Sequence, residues 1–206
     1  MRFYDETLLV IMVDFEIENQ HENKVIAGGD EAGRGPLAGP VVAAAVIVDQ
    51  VNYIEGVQDS KKIPKKKRQN LYDLITKHYC YGVGIVSPEE IDEINILEAT
   101  KKACCMAVDS LENNPEIVFV DGNMKFLDKR FNSIVKGDDK SYSIAAASII
   151  AKVTRDRLME SLALDYPVYD WHKNSGYGTK YHLKAIQKHG ITIHHRKSFA
   201  PIKYIV

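Results

Sequence analysis

Asp30 and Glu31 are adjacent carboxylates set directly before a glycine-rich stretch with one arginine, "GGDEAGRGPLAGP" at residues 28–40. Glycine-rich turns let backbone amides approach an anion. Acids repel that anion, so something must reconcile the two. A third acid, Asp121, ends the apolar run "EIVFVDG" (116–122) just before Gly122. Carboxylates brought together cannot all stay ionised unless a cation neutralises them. Oxygen donors with no His or Cys among them suit a hard divalent ion, Mg2+ or Mn2+, which would attract phosphate. Each motif alone has a plainer reading: Asp-Glu before glycines as a turn or helix cap, Asp121-Gly122 as a turn. Their combination with Gly33-Arg34-Gly35 and a basic C-terminal tail favours the metal site.

Adjacent side chains on a strand point to opposite faces. Asp30 and Glu31 therefore serve one site only where their strand ends or bends, which Gly33 and Gly35 permit. "KVIAGGDE" (24–31) reads as that strand. "GPVVAAAVIV" (39–48) is an unbroken apolar run of strand length, as expected for a strand buried on both faces. Pro64 opens a helix through about His78. "YCYGVGIVS" (79–87) is strand-like, and Ser87 with Glu90 forms a capping box for a short helix, followed by a helix over 95–112. "EIVFVDG" and "FNSIVKG" (131–137) are two further strands. Residues 142–163 give the clearest helix, with Ile144, Ala147, Ala151, Leu158 and Leu162 in one stripe and Asp156, Arg157 and Glu160 opposite. A last helix runs from about Thr179 to His189 and stops at Gly190. This order predicts an α/β layer fold with a mixed sheet flanked by helices and a small C-terminal helical part. In such folds sites form at strand ends. Three segments are expected: an N-terminal extension (1–24) with room for one short strand, an α/β domain (25–170), and a basic helical segment (171–206).

The formal net charge of −1 conceals a strong segregation. Residues 171–206 hold no Asp or Glu, seven Lys or Arg and five of the seven histidines. "KKIPKKKR" (61–68) adds six basic residues. Two basic surfaces and an acidic pocket suit a nucleic-acid partner. The lysine run is in the first instance the solvated start of a helix, and Lys61 or Lys62 is placed to touch a phosphate. The histidines at 172–195 show no metal-binding spacing and read as mostly surface residues facing the anionic partner. With 45% hydrophobic residues the composition is that of an ordinary globular protein. No apolar run approaches the ~20 residues of a membrane span. Three cysteines without a CxxC pair suggest reduced thiols and a cytoplasmic location.

The segments "GGDEAGRGPLAGPVVAAAVIV", "DSKK", "VDGN", "KGDDKSYSIAAASIIAKVTRDRLM" and "SGYGTKYHLKAIQKHG…HHRKSFAPI" resemble, in content and order, the ribonuclease HII family, bacterial type 2 ribonucleases H. The resemblance covers about residues 24–203. It implies the ribonuclease H fold, with a ribonuclease H-like catalytic domain over 25–170 whose substrate site the basic segment 171–206 completes, and a site of four carboxylates holding two divalent ions, which cuts RNA in RNA/DNA hybrids and incises 5′ to single ribonucleotides in DNA. The first three acids map to Asp30, Glu31 and Asp121. The fourth follows a Lys-Gly pair, which maps it to Asp138; Asp139 is adjacent, and Asp156 lies on the polar helix face expected of a solvated acid. Gly33, Arg34 and Gly35 map to the segment whose backbone contacts the 2′-OH, the group that distinguishes RNA from DNA. Tyr177 maps to a tyrosine that stacks on the deoxyribose after the ribonucleotide. Where the family usually carries Val or Ile before the first acid, this chain has Gly29.

The implied mechanism places two Mg2+ or Mn2+ ions ~3.5–4 Å apart, one activating water and one stabilising the leaving 3′-oxygen. The products carry 3′-OH and 5′-phosphate ends. The implied partners are RNA/DNA hybrid and DNA with single ribonucleotides; no membrane and no obligate protein partner are evident. Two rivals remain from the sequence: a junction-resolvase-type nuclease of the same superfold, and a non-catalytic hybrid-binding module, in which acids facing phosphate would have no use.

Overall fold

The computed structural model describes residues 13–21 and 23–205. In chain order the elements are α1 (Glu16–Asn19), β1 (Ile26–Ala32), β2 (Val41–Ile47), α2 (Lys65–His78), β3 (Cys80–Val86), α3 (Pro88–Asp109), β4 (Ile117–Asp121), β5 (Phe131–Ile134), α4 (Tyr142–Asp165), α5 (Trp171–Asn174) and α6 (Lys180–His189). The sheet order is β3-β2-β1-β4-β5. β1, β2 and β3 are antiparallel, whereas β4 runs parallel to β1, and β5 to β4. The expected mixed sheet is therefore the observed one, with helices on both faces.

The layers follow from side-chain size. β2 alternates its burial between two cores: Ala44 and Val46 join α2 and α4 on one face, and Val41, Ala43 and Ala45 join α3 on the other. Ala145, Ala146 and Ala147 on α4 keep that helix close to the sheet. Gly28 does the same from β1, because a Cβ there would stand 2.2 Å from the Ser143 carbonyl carbon. A third core gathers Leu37, Met159, Trp171, Ile186 and Ile202 and attaches the C-terminal segment to the end of α4.

Two helix ends carry information that the periodicity did not. Ser87 Oγ accepts from Glu90 N–H, one half of the expected capping box, while the Glu90 carboxylate pairs with Lys102 instead, and the span then continues to Asp109 across a break at Asn95 (φ 66°, ψ 163°). Asn95 Oδ1 accepts from the amides of Leu97 and Glu98 and restarts the helix, so the two expected helices meet at one capping residue. At α4, Ser141 is the N-cap, and Glu18 from the N-terminal segment reinforces it. Glu18 Oε1 accepts from Ser143 N–H at 3.0 Å and from the Ser141 and Ser143 hydroxyls at 2.7 and 2.6 Å. A carboxylate there also complements the positive end of the helix. The described part of residues 1–24 thus packs on the core through Val13, Phe15 and Glu18 as a helical turn. Residues 1–12 lie outside the described residues.

Candidate active site

Pairing places the first acids. The β1–β4 register ends at Gly29 opposite Val120; one residue further, Asp30 stands beside Asp121. Asp30 is opposite Ala44 and shares its face toward α4, whereas Glu31 is opposite Ala43 and starts on the α3 face. The strand ends at Ala32, and Gly33 (φ +98°) turns the chain. Gly29 adds no bulk beneath Asp30, and the space is taken by Val120, whose Cγ1 lies 2.8 Å from where a Cβ would stand.

Asp121 Oδ1 accepts from Gly137 N–H at 2.7 Å, which fixes the turn that carries Asp138. Asp138 is buried, and its Oδ2 lies 3.9 Å from Lys61 Nζ. The other two candidates for the fourth acid face elsewhere. Asp139 pairs with Lys62. Asp156 is not the solvated acid expected from the helix face: it is half-buried between Lys152 Nζ at 2.6 Å and Arg68 Nη2 at 3.6 Å. The helix pattern misled because α2 covers that side of α4.

The electrostatics confirm that these groups feel one another. Burial, then the charges of Glu31 and Asp121, hold the Asp30 carboxyl well above the usual carboxylate range. Burial also raises Glu31 and Asp138, with Asp121 adding to both. Burial works against the Lys61 ammonium, yet Asp30, Asp59, Asp138 and Asp121 together raise its pKa. This is a surplus of negative charge around one lysine. Hard oxygens with that surplus fit divalent cations. Among the described residues, no three His, Cys, Asp or Glu side chains stand close enough together to hold a metal ion as they are.

The cleft above the acids has a volume of about 350 Å³ and is lined by Asp30, Glu31, Arg34, Lys61, Lys152 and Tyr177, among others. Volume alone would not select it, because a cleft of about 420 Å³ lies beside Glu89, Asp92 and Glu93; the convergence of charge does. Gly33, Arg34 and Gly35 form one wall, with Arg34 Nη1 3.3 Å from Glu31 Oε1. Tyr177 forms the other, and a Cβ on Gly35 would sit 3.4 Å from its Cε1.

Two arginines that sequence reasoning left out build these walls. Arg196 donates to the carbonyls of Gly33 (2.6 Å), Arg34 (3.0 Å) and Gly39 (2.8 and 3.0 Å). Arg155 donates to Pro40, Ala38 and Ser175 at 2.9–3.1 Å, which ties the loop to the segment before Tyr177. Both are buried with no carboxylate in ion-pair contact among the described residues. Burial lowers Arg155 to about 10, and burial with the Arg155 charge lowers Arg196 to about 9. They lie inside quoted motifs, "VTRD" and "HHRKS", but a backbone carbonyl partner leaves no mark in a sequence. The histidines also need correction. His182 and His195 are core residues rather than surface ones, packed with Tyr169 and Trp171, while His172 and His189 are exposed.

The sequence profile of the Ribonuclease HII family matches residues 27–202. The chain belongs to the ribonuclease HII family. A curated Ribonuclease HII from Rickettsia bellii (strain OSU 85-389) is 63% identical over 187 residues, covering 91% of this chain and 95% of that protein. The crystal structure of the ribonuclease H2 from Pyrococcus horikoshii OT3 superposes with a TM-score of 0.70 at 32% identity, covering 87% of this chain and 96% of that one. At 20% identity, Bst-RNase HIII in complex with Mn2+ shares the fold, with a TM-score of 0.70 over 86% of this chain and 68% of that one. As a ribonuclease HII family member the chain is a ribonuclease H, a hydrolase of a family that acts on RNA/DNA hybrids. Among the described residues no helix is long and apolar enough to cross a membrane.

Proposed function

We propose that this ribonuclease H also incises duplex DNA on the 5′ side of a single embedded ribonucleotide, leaving 3′-OH and 5′-phosphate ends. The observation that carries the reading is the pair of walls above the acids: a loop held by its carbonyls at Gly33–Gly39, and Tyr177 facing Gly35. A ribose between them would meet the backbone of Gly33–Gly35 with its 2′-OH and the Tyr177 ring with the sugar that follows. Because phosphate contacts carry no sugar information, discrimination must come from these walls. Lys61, beside Asp138, contacts a phosphate rather than reads a base.

Asp30, Glu31, Asp121 and Asp138 would hold two Mg2+ or Mn2+ ions. When bound, such ions supply water activation and stabilisation of the leaving oxygen. The protein's own contribution is placement. Asp121 fixes the turn carrying Asp138, β1 fixes Asp30, and the two arginines keep the reading loop in one conformation. The C-terminal segment 171–206 supplies Tyr177 and Arg196 and so completes the substrate site. The test compares three duplexes of one sequence: all DNA, one ribonucleotide, and RNA/DNA hybrid, each with and without divalent ion. Cutting at the single ribonucleotide on its 5′ side is expected. Cleavage of the hybrid alone would overturn the proposal.

A further inference from the structure

His182 and His195 form a buried chain of hydrogen bonds that ends on the backbone of Tyr177. Its two ends fix every proton in it. His182 Nδ1 lies 2.9 Å from the Tyr177 carbonyl, which only accepts, so Nδ1 carries the hydrogen. His182 Nε2 then accepts, as Trp171 Nε1–H at 3.0 Å requires. At the far end, Thr192 N–H donates to His195 Nδ1 at 2.9 Å, which makes that nitrogen an acceptor. The hydrogen of neutral His195 is therefore on Nε2, which donates to His182 Nε2 across 3.2 Å. Every ring nitrogen is satisfied, and only one tautomer of each ring does this. Protonating His182 would set an Nε2–H against two donors. Both residues are almost inaccessible, at 0% for His182 and 1% for His195, and burial pushes the pKa of each down.

Nothing in hybrid hydrolysis by the acids uses this chain. Its output is the Tyr177 carbonyl, which also accepts from Thr179 N–H at 2.8 Å, while Tyr177 N–H donates to Asn174 at 2.8 Å. The peptide units on both sides of residue 177 are thus fixed, while the residue as a whole is 49% exposed. The aim of the ring is set by its backbone more than by its packing. We infer that His182 is a positioning residue that holds Tyr177 over Gly35 and so places the RNA-to-DNA step of the substrate. This inference rests on the substrate role of Tyr177 proposed above.

The experiment uses the full chain and two duplexes, one with a single ribonucleotide and one with a continuous RNA strand, which has no RNA-to-DNA step at the cut. His182→Gln keeps a polar group near Trp171 and His195 but cannot reach the carbonyl as Nδ1 does. His182→Asn keeps an N–H in the Nδ1 position. Relative to wild type, His182→Gln should lower kcat on the single ribonucleotide on the order of ten- to a hundred-fold through misplacement. It should change the continuous hybrid far less, and His182→Asn should recover most of the loss. Adding His182→Gln to Tyr177→Ala should cost nothing further. Equal losses on both duplexes, or additive losses in the double variant, would reduce His182 to a core residue and overturn the inference. A Tyr177→Ala variant as active as wild type on the single ribonucleotide would instead remove the reading it rests on, and the inference with it. If the variants do not fold, 15N spectra of the wild-type imidazoles decide: the inference requires Nδ1–H on His182 and Nε2–H on His195, and the opposite tautomer of His182 overturns it.

Discussion

Gly33 and Gly35 stand two residues apart in one loop, and alanine at each should fail in opposite ways. At Gly33 the backbone is left-handed (φ +98°), and a Cβ would lie 2.0 Å from Arg155 Nε and 2.8 Å from the Pro40 carbonyl oxygen. A left-handed alanine costs about 1–2 kcal/mol. Arg155 cannot swing away freely, because its guanidinium is bonded to three carbonyls. Losing one such charged bond costs about 1.5–3 kcal/mol. Gly33→Ala should therefore destabilise by roughly 3–5 kcal/mol. With a urea dependence of about 1–3 kcal/mol per molar, the unfolding midpoint should fall by about 1 M or more. Gly35 is not left-handed, and among the described residues beyond its chain neighbours the only atom within 4 Å of an added Cβ is Tyr177 Cε1, at 3.4 Å. Gly35→Ala should stay within about 1 kcal/mol of wild type. Its methyl group would instead enter the space between loop and ring, so incision at a single ribonucleotide should fall sharply. Urea titration and incision assays on both variants check this. Equal midpoints for the two, or wild-type incision by Gly35→Ala, would refute the division of labour between the glycines.

Asp30→Asn should nearly abolish cleavage and yet raise thermal stability in metal-free buffer at pH 7, since it removes a carboxyl whose ionisation burial, Glu31 and Asp121 all oppose while Asn Oδ1 can still accept from Glu31 N–H. Incision within ten-fold of wild type at saturating Mg2+ would contradict it. Among Asp138→Asn, Asp139→Asn and Asp156→Asn, the first should lose most activity, and Asp156→Asn should mainly cost stability through Lys152 and Arg68. His195 is held down to about 4, with burial the largest cause. The unfolded chain therefore takes up a proton that the folded one refuses, and the stability His195 confers is full above about pH 6.5 and drains away toward pH 4. The stability gap between wild type and His195→Gln, measured by urea at several pH values, should narrow on acidification; a constant gap would show that His195 titrates normally. Binding to hybrid should fall steeply with salt through counterion release. Charge reversal at the exposed Lys184 and Lys188 should weaken binding and flatten that dependence.

The strands and the acids were legible because each writes itself locally. β2 is an unbroken apolar run, Asp121 ends its strand and Asp30 lies two residues before the end of its own, and Ser87, Thr179 and Gly190 mark helix ends by residue type. Even the break in α3 was foreshadowed, since the pattern asked for two helices where Asn95 divides one span. What was not legible depends on partners far along the chain. Glu18 caps α4 across 125 residues, so an acidic extension looked unattached. His182, His195, Arg155 and Arg196 are types that a basic tail or a polar helix face would expose. Their burial is set by carbonyls and by an indole that covers them. Asp156 looked solvated because nothing in its own helix shows that α2 lies over it.

The Arg196 side chain grips Gly33 across 163 residues of chain. Closing so long a loop costs configurational entropy that no local contact returns, and pairings this remote are made late and slowly. A growing polypeptide therefore possesses Asp30, Glu31, Asp121 and Asp138 once residue 138 has been added, but not the arginine that holds the loop beside them. Until residue 196 arrives, the stretch after β1 has lost its carbonyl clamp. A chain halted anywhere in between would carry the four proposed ligands and still lack the clamp on the loop beside them, so the proposed activity waits for residue 196.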